Sequence, residues 1–443
     1  METYKTKTTR NGLKTVVVKR PNNLNRIQIN LVYGIGSDLE KGSNLEISHF
    51  LEHLFVSLTS KKYPSSKSNR DTFSTNDITY NASVGCKTTE FEFSLNKEHF
   101  EIFLDILVNS MFNFQVDKEI FKNEKNSIIE ELNEIIDDLS YSLETNTESE
   151  IYNGHNRKQS QKKRLENTKK ITPQNIDHFY KKFYRIPYCV LAIYGNLDIN
   201  KLCSTIDKLS NQFTHNNITR KLEAKSVENL YPKYNLTNES KVIYSSKSDT
   251  ISTVKILWRI DMNTFSDDYF DLYCLDYILL DDLSSLLLKK LRAEYGLIYD
   301  IKSQFSLDEF QNSLSFYIFE TTVASNKLIK VIQSFMEVIH SIIEKHIDEN
   351  DYSKYIKHQK TLINDRHESL DYKYYLNNYA KYLLFNKQIK TLKTEDKLYL
   401  GLTPKSVFDT ARKIFNTNNL YISYSNQKNI SKKIDKVITD LDF

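Results

Sequence analysis

The stretch His49-Phe50-Leu51-Glu52-His53 decides how this 443-residue chain reads. At about 100° per residue, His49, Glu52 and His53 fall within an arc of roughly 100° on one helical face. Positions i and i+4 let two imidazole nitrogens reach one Zn²⁺, and a Glu beside them can take a proton from water. The order is His-x-x-Glu-His, the inverse of the commoner zinc-protease motif. With 10 His in the chain, a chance match is expected in roughly one sequence per hundred. The flanks add weight. Ile47, Phe50, Leu51, Leu54 and Phe55 cluster opposite the two His, so the helix has its own apolar face to bury. Ser43 followed by Glu46 has capping-box spacing, which predicts the helix start there.

Such a site needs a third protein ligand. The segment from Asp117 to Leu139 reads as a helix, with Ile120, Phe121, Ile128, Leu132, Ile135, Ile136 and Leu139 in one apolar stripe. Glu124 and Glu131 are seven apart and lie nearly above one another at the edge of that stripe, whereas Glu130 points to solvent. A ligand must face the interior, so helical phase selects Glu131. Glu124 suits a carboxylate that orients a His or the ligand itself.

With these residues in place, the chain resembles the pitrilysin-like, or M16, zinc metallopeptidases, the family of mitochondrial processing peptidases and insulin-degrading enzymes. Strict counting of the family's motif spacing from His53 lands on Glu130. The seven-residue spacing and the Ile128-Ile129-Glu130-Glu131 context favour Glu131, with one extra residue between. Asn11-Gly12 reads as a hairpin turn and Ile27 to Tyr33 as a strand. Tyr80-Asn81-Ala82-Ser83 looks like the family's substrate-pairing edge strand. Tyr184 to Pro187, Val190 to Tyr194 and Gly195 to Asp198 resemble the strand and turn closing the first domain. Ser284-Ser285-Leu286 and Leu291 to Tyr299 match the family's helix-to-strand signature, in which Arg292 and Tyr299 contact substrate. Gly296 suits a helix C-terminus.

The resemblance implies an α+β fold of two homologous α/β-sandwich domains, each a mostly antiparallel sheet packed with helices, together half of an M16 clamshell. The expected division is a zinc-binding domain over 1–220, a linker over 221–240 and a second domain over 241–443 without a metal motif. The second half repeats the order of the first: a strand from Thr253 to Ile260, a helix near Tyr269 to Leu280, long helices over Leu328 to Lys345 and Asn350 to His367, and a strand over Leu420 to Tyr424. His340, His346, His358 and His367 are read as helical surface or packing residues with no matched carboxylates.

Composition fits a large two-domain protein: 40% hydrophobic and 27% charged residues. The net charge of +4 offers no footprint for nucleic acid. Abundant Lys, Asn, Ile and Tyr with only 9 Gly and 6 Pro read as an AT-rich genome's bias. Cys86, Cys189, Cys203 and Cys274 are scattered, unlike a zinc ribbon or a disulfide framework. No apolar run follows Met1 and none is long enough to span a membrane, so the expected compartment is a bacterial cytoplasm.

The expected chemistry is metalloendopeptidase action on unstructured peptides. His49, His53 and Glu131 hold one Zn²⁺ per chain, Glu52 is the general base with Glu124 supporting the catalytic group, and Asn81, Ala82, Arg292 and Tyr299 bind substrate. A half-length member is expected to pair with a chain of the same fold, as a homodimer or a heterodimer. The alternatives are a non-catalytic scaffold subunit and a dedicated maturation protease that trims leader peptides with a partner subunit.

Overall fold

The computed structural model describes residues 4–19, 25–138, 140–152, 155–213, 226–232, 239–246, 250–310, 314–369 and 373–440. Leu139 and most of the expected linker over 221–240 lie outside these residues.

In chain order the first part runs β1 (Tyr4–Thr8), β2 (Lys14–Val18), β3 (Arg26–Tyr33), α1 (Ile47–Phe55), α2 (Ser66–Thr75), β4 (Thr79–Val84), β5 (Thr89–Asn96), α3 (Phe100–Asn113), α4 (Lys118–Asp137), α5 (Tyr141–Ile151), α6 (Gln161–Thr168), α7 (Pro173–Phe183), β6 (Cys189–Tyr194) and α8 (Ile199–Ser210). The second runs β7 (Lys241–Ser246), β8 (Ile251–Ile260), α9 (Asp268–Leu280), α10 (Leu286–Leu288) continued by a π-helical turn (Lys289–Glu294), β9 (Ile301–Ser306), β10 (Ser315–Ala324), α11 (Leu328–Glu344), α12 (Glu349–Ser369), α13 (Lys373–Leu384), α14 (Leu392–Leu400), α15 (Pro404–Ile414), β11 (Leu420–Asn426) and α16 (Ser431–Asp440).

The strands form two mixed sheets, ordered β1-β2-β6-β3-β5-β4 and β7-β11-β8-β10-β9. Each has one parallel pair, β2 with β6 and β7 with β11, and every other pairing is antiparallel. Helices pack on both sheets, so this is the α+β fold expected. The apolar run of β6 is buried at every residue, as a central strand covered on both faces requires. The turn between β1 and β2 passes through Gly12 at φ 88, a left-handed conformation that glycine adopts without a Cβ clash. Gly296, at φ 55, ends the π-helical turn, its N–H bonded to the Arg292 carbonyl at 3.1 Å.

The chain divides into two compact units that are not contiguous in sequence. The first comprises Met1–Asp137, Gln159–Pro232 and Ser369–Leu392, the second Asp138–Lys158, Lys233–Glu368 and Lys393–Phe443. Relative to an expected break between 220 and 241, two segments change places. The reason is packing: α5 lies on β7 and β11, whereas α13 lies on β2, β3 and β6.

Two local expectations change. The Ser43–Glu46 capping box does not form: Ser43 sits in a separate 3-10 turn, Gly42–Asn44, and Glu46 is itself the N-cap of α1, without a side-chain cap bond. The apolar stripe of α4 is buried through Ile120, Phe121, Ile128 and Leu132, but Ile135 is half exposed. Periodicity marks a helix face; it does not say where the neighbouring elements stop. Among the described residues, no helix is long and apolar enough to cross a membrane.

Candidate metal centre

The first unit brings the motif together by packing two helices. On α1, Ile47, Phe50, Leu51 and Phe55 are fully buried. Phe55 packs against Tyr33, Phe91, Phe114 and Tyr180, which sets the rotation of the helix. Phe50 stacks on Phe121 of α4, with ring centroids 5.5 Å apart. That stack holds α4 alongside α1, with Glu124 and Glu131 facing the two imidazoles.

The resulting geometry is compact. His49 Nε2 and His53 Nε2 lie 3.2 Å apart. Glu131 places Oε2 3.3 Å from His49 Nε2 and Oε1 3.8 Å from His53 Nε2. Donor atoms of these three residues all fall within 4.8 Å of one another. Glu130, one residue earlier on α4, is exposed. Glu52 sits 3.4 Å from His53 Nε2, its side chain 16% exposed.

The outer nitrogen of each ring is engaged by a second carboxylate. Glu124 Oε2 lies 2.9 Å from His53 Nδ1, and Glu46 Oε2 lies 3.0 Å from His49 Nδ1. A carboxylate only accepts, so each Nδ1 donates its N–H and each Nε2 lone pair is left facing the other and Glu131. Three acceptors converging on one point repel each other unless a cation stands among them. Two nitrogens bound at about 2.0–2.1 Å in a tetrahedral zinc site lie about 3.3 Å apart. The donor set therefore fits zinc, with His49, His53 and Glu131 as the residues that would hold it.

Electrostatics point the same way. Burial alone lowers the His49 pKa, but the Glu46 hydrogen bond and the charges of Glu46, Glu131 and Glu52 outweigh it and raise it. Burial raises the Glu52 pKa, with His53 and His49 pulling it back. The site favours a positive charge, and Glu52 is more basic than a surface carboxylate.

Sequence reasoning missed the support behind His49. Glu40, almost fully buried, accepts the N–H groups of Glu46 and Ser48 at 2.9 and 2.8 Å. It thus does from outside what the expected capping box was to do. Arg164 on α6 donates to Glu46 Oε1 at 2.6 Å and lies 3.5 Å from Glu40. Burial, then the neighbouring Glu46 charge, push the Glu40 pKa up to about 7, while Glu46 is held below its usual value, its own burial outweighed by His49 and Arg164. Acidic residues just before the motif were a visible signal; Arg164 had none.

Asn81 and Ala82 lie on β4, the edge strand of the first sheet, paired only to β5. Arg292 and Tyr299 belong to the second unit, where the guanidinium lies 4.7 Å from the centroid of a Tyr299 ring that is 81% exposed. One expectation fails: His367 has a carboxylate partner, Asp396 Oδ2 at 2.7 Å, because α14 brings it there from 29 residues away. His346 lies just beyond the end of α11 rather than on it. No disulfide joins the four cysteines, and Cys189, Cys203 and Cys274 are buried.

Two family models match this chain, one described as Insulinase (Peptidase family M16) over residues 15–164 and one as Peptidase M16 inactive domain over residues 170–358. A Bacillus subtilis (strain 168) protein named uncharacterized zinc protease YmxG is 23% identical over 338 residues, 76% of this chain and 77% of that one. Among solved structures, a protease from Helicobacter pylori is similar with a TM-score of 0.79 at 17% identity, over 96% of this chain and all of that one. The periplasmic protease PqqL from Escherichia coli gives 0.74 at 14% identity, covering 99% of this chain and 50% of that one.

Proposed function

Since this chain belongs to the M16, or insulinase, family of peptidases, we propose that it is a zinc-dependent endopeptidase of unstructured peptides. One observation carries the reading: two Nε2 lone pairs and the Glu131 carboxylate converge, while Glu46 and Glu124 hold the outer ring nitrogens. Bound there, zinc would supply Lewis acidity, acidifying water and polarising a carbonyl.

The protein's own groups account for the rest. Glu52, its basicity raised by burial, takes the proton of the attacking water and returns it to the leaving amine. The open edge of β4 accepts an extended peptide as an added strand, so main-chain hydrogen bonds through Asn81 and Ala82 supply affinity with little sequence restriction. Arg292 and Tyr299 are further substrate contacts in this reading, and a second chain of the same fold, identical or not, is the proposed partner. PqqL, twice as long, supports the pairing.

The test is hydrolysis of a mixed pool of unstructured peptides, read by mass spectrometry, with wild type and Glu52→Gln side by side. Wild-type cleavage and an inert, zinc-loaded Glu52→Gln are expected. Turnover by that variant at the wild-type rate would remove Glu52 from the mechanism.

A further inference from the structure

Glu46 combines two features that nothing in the motif explains. Its backbone has φ 77, in the left-handed region where a Cβ is strained and glycine is preferred. Its side chain, 7% exposed, touches His49 Nδ1 with one oxygen and Arg164 with the other. A glycine there would relieve the backbone, and a serine or asparagine would cap the helix better. The glutamate does neither; Glu40 takes the capping role.

The strained conformation has a local consequence. It turns the Glu46 side chain back along α1 so that Oε2 meets His49 three residues on, at 3.0 Å. Arg164 occupies Oε1 at 2.6 Å, which leaves Oε2 for the ring. The helix that carries Arg164 is itself fastened to the entry of α1: Asn167 donates to the carbonyls of Ser43 and Leu45 at 3.0 and 2.5 Å. Backbone strain, a half-buried cation and a pinned loop all converge on one ring nitrogen. We propose that Glu46, held by Arg164, is a positioning residue that keeps His49 as the Nδ1–H tautomer and aims Nε2 at the metal. The inference rests on the zinc reading above and adds a residue of α6 to the support of the centre.

The experiment is zinc affinity of the purified full chain, measured by competition with a chromogenic chelator, together with melting of the metal-free protein. Glu46→Gly accepts φ 77 without strain, so its metal-free form should melt at or above the wild-type temperature. Its zinc affinity should nevertheless fall about ten- to a hundredfold. Glu46→Gln, which keeps an acceptor but no charge, should fall between the two, and Arg164→Met should weaken zinc by several-fold. A purely structural Glu46 predicts the reverse, lower melting with unchanged affinity. Zinc binding by Glu46→Gly within twofold of wild type overturns the proposal. Should that variant fold poorly, Glu46→Gln decides, and wild-type affinity there overturns it equally. If the wild type itself binds no zinc, the zinc reading falls and this inference with it; zinc on the wild type with indifferent variants removes the inference alone.

Discussion

The two units repeat one design, and among the described residues only the first brings together a set of candidate metal donors. Their sheets share an order, β2-β6-β3-β5-β4 in one and β7-β11-β8-β10-β9 in the other, with the parallel pair in the same place. The repeat extends to helix caps. Asp117 accepts the N–H groups of Glu119 and Ile120 at the start of α4, and Asp348 those of Asn350 and Asp351 at the start of α12. Thr172-Pro173 and Thr403-Pro404 open α7 and α15 with a capping box each. From Asp117 to Asp348, Pro173 to Pro404 and Cys189 to Leu420 the separation is always 231 residues. The exchanged segments obey it too: Asp138 and Ser369 begin them.

At that offset Glu124 corresponds to Tyr355, fully buried, and Glu131 to Leu362, exposed. The helix that follows β8, α9, is apolar on most faces and has Leu272, Cys274, Leu275 and Leu279 fully buried. The scaffold therefore carries either candidate metal donors or an apolar seam at this position. Caps and sheet register specify the frame, and a handful of side chains on two helices specify the chemistry. The candidate centre is backed by Glu40, Glu46 and Arg164, whereas Asp276 on α9, whose pKa burial raises, accepts from Tyr317 of β10.

The sharpest way to break this contrast is to delete the donors: His53→Ala should abolish stoichiometric zinc and reduce peptide turnover by at least about 10³-fold, given the several kcal/mol a metal supplies. Inductively coupled plasma analysis and the peptide assay check it. Next in size is an attempt to convert the second unit. Tyr355→Glu places a carboxylate where a fully buried phenol stands, so about 3 kcal/mol or more of stability should be lost. A second zinc on that variant would show a dormant site rather than an apolar seam.

Matched core deletions sharpen the comparison further. Phe50→Ala and Leu275→Ala should each lower stability by about 2–5 kcal/mol in urea unfolding. Only Phe50→Ala should weaken zinc, because it removes the stack that holds α4 beside α1. Equal zinc affinity in both would detach that stack from the site. Glu124→Gln should weaken zinc by about 10–100-fold while leaving the fold intact.

The smallest effects concern the repeated caps. Asp117→Ala and Asp348→Ala should each cost about 1 kcal/mol. The Asp117 carboxyl is depressed overall: burial raises it, but donation from Ser66, then from the N–H groups of Glu119 and Ile120, outweighs that. A depressed folded pKa contributes stability above the unfolded value of about 3.9 that is lost as pH falls through the folded value. The melting gap between wild type and Asp117→Ala should therefore hold from neutral pH to about 5 and close below about 4. A gap that persists at acid pH would assign the loss to packing.

The amino-acid sequence by itself determined what has a short period. The motif of α1, the placing of Glu131 rather than Glu130 on the inward face of α4 and Glu124 two turns earlier follow from spacing along single helices, where geometry is local; the edge strand around Tyr80 was legible through the family resemblance. The tertiary structure decided whatever joins residues far apart. It put Arg164 behind Glu46 across 118 residues and Asp396 on His367, exchanged α5 and α13 between the units, and left Ile135 outside. It also replaced a serine cap by Glu40 acting from six residues away. Periodicity records which face of an element is apolar; the partners of a buried charge are set by the requirement that it be neutralised wherever packing brings an opposite group. That requirement leaves no pattern along the chain.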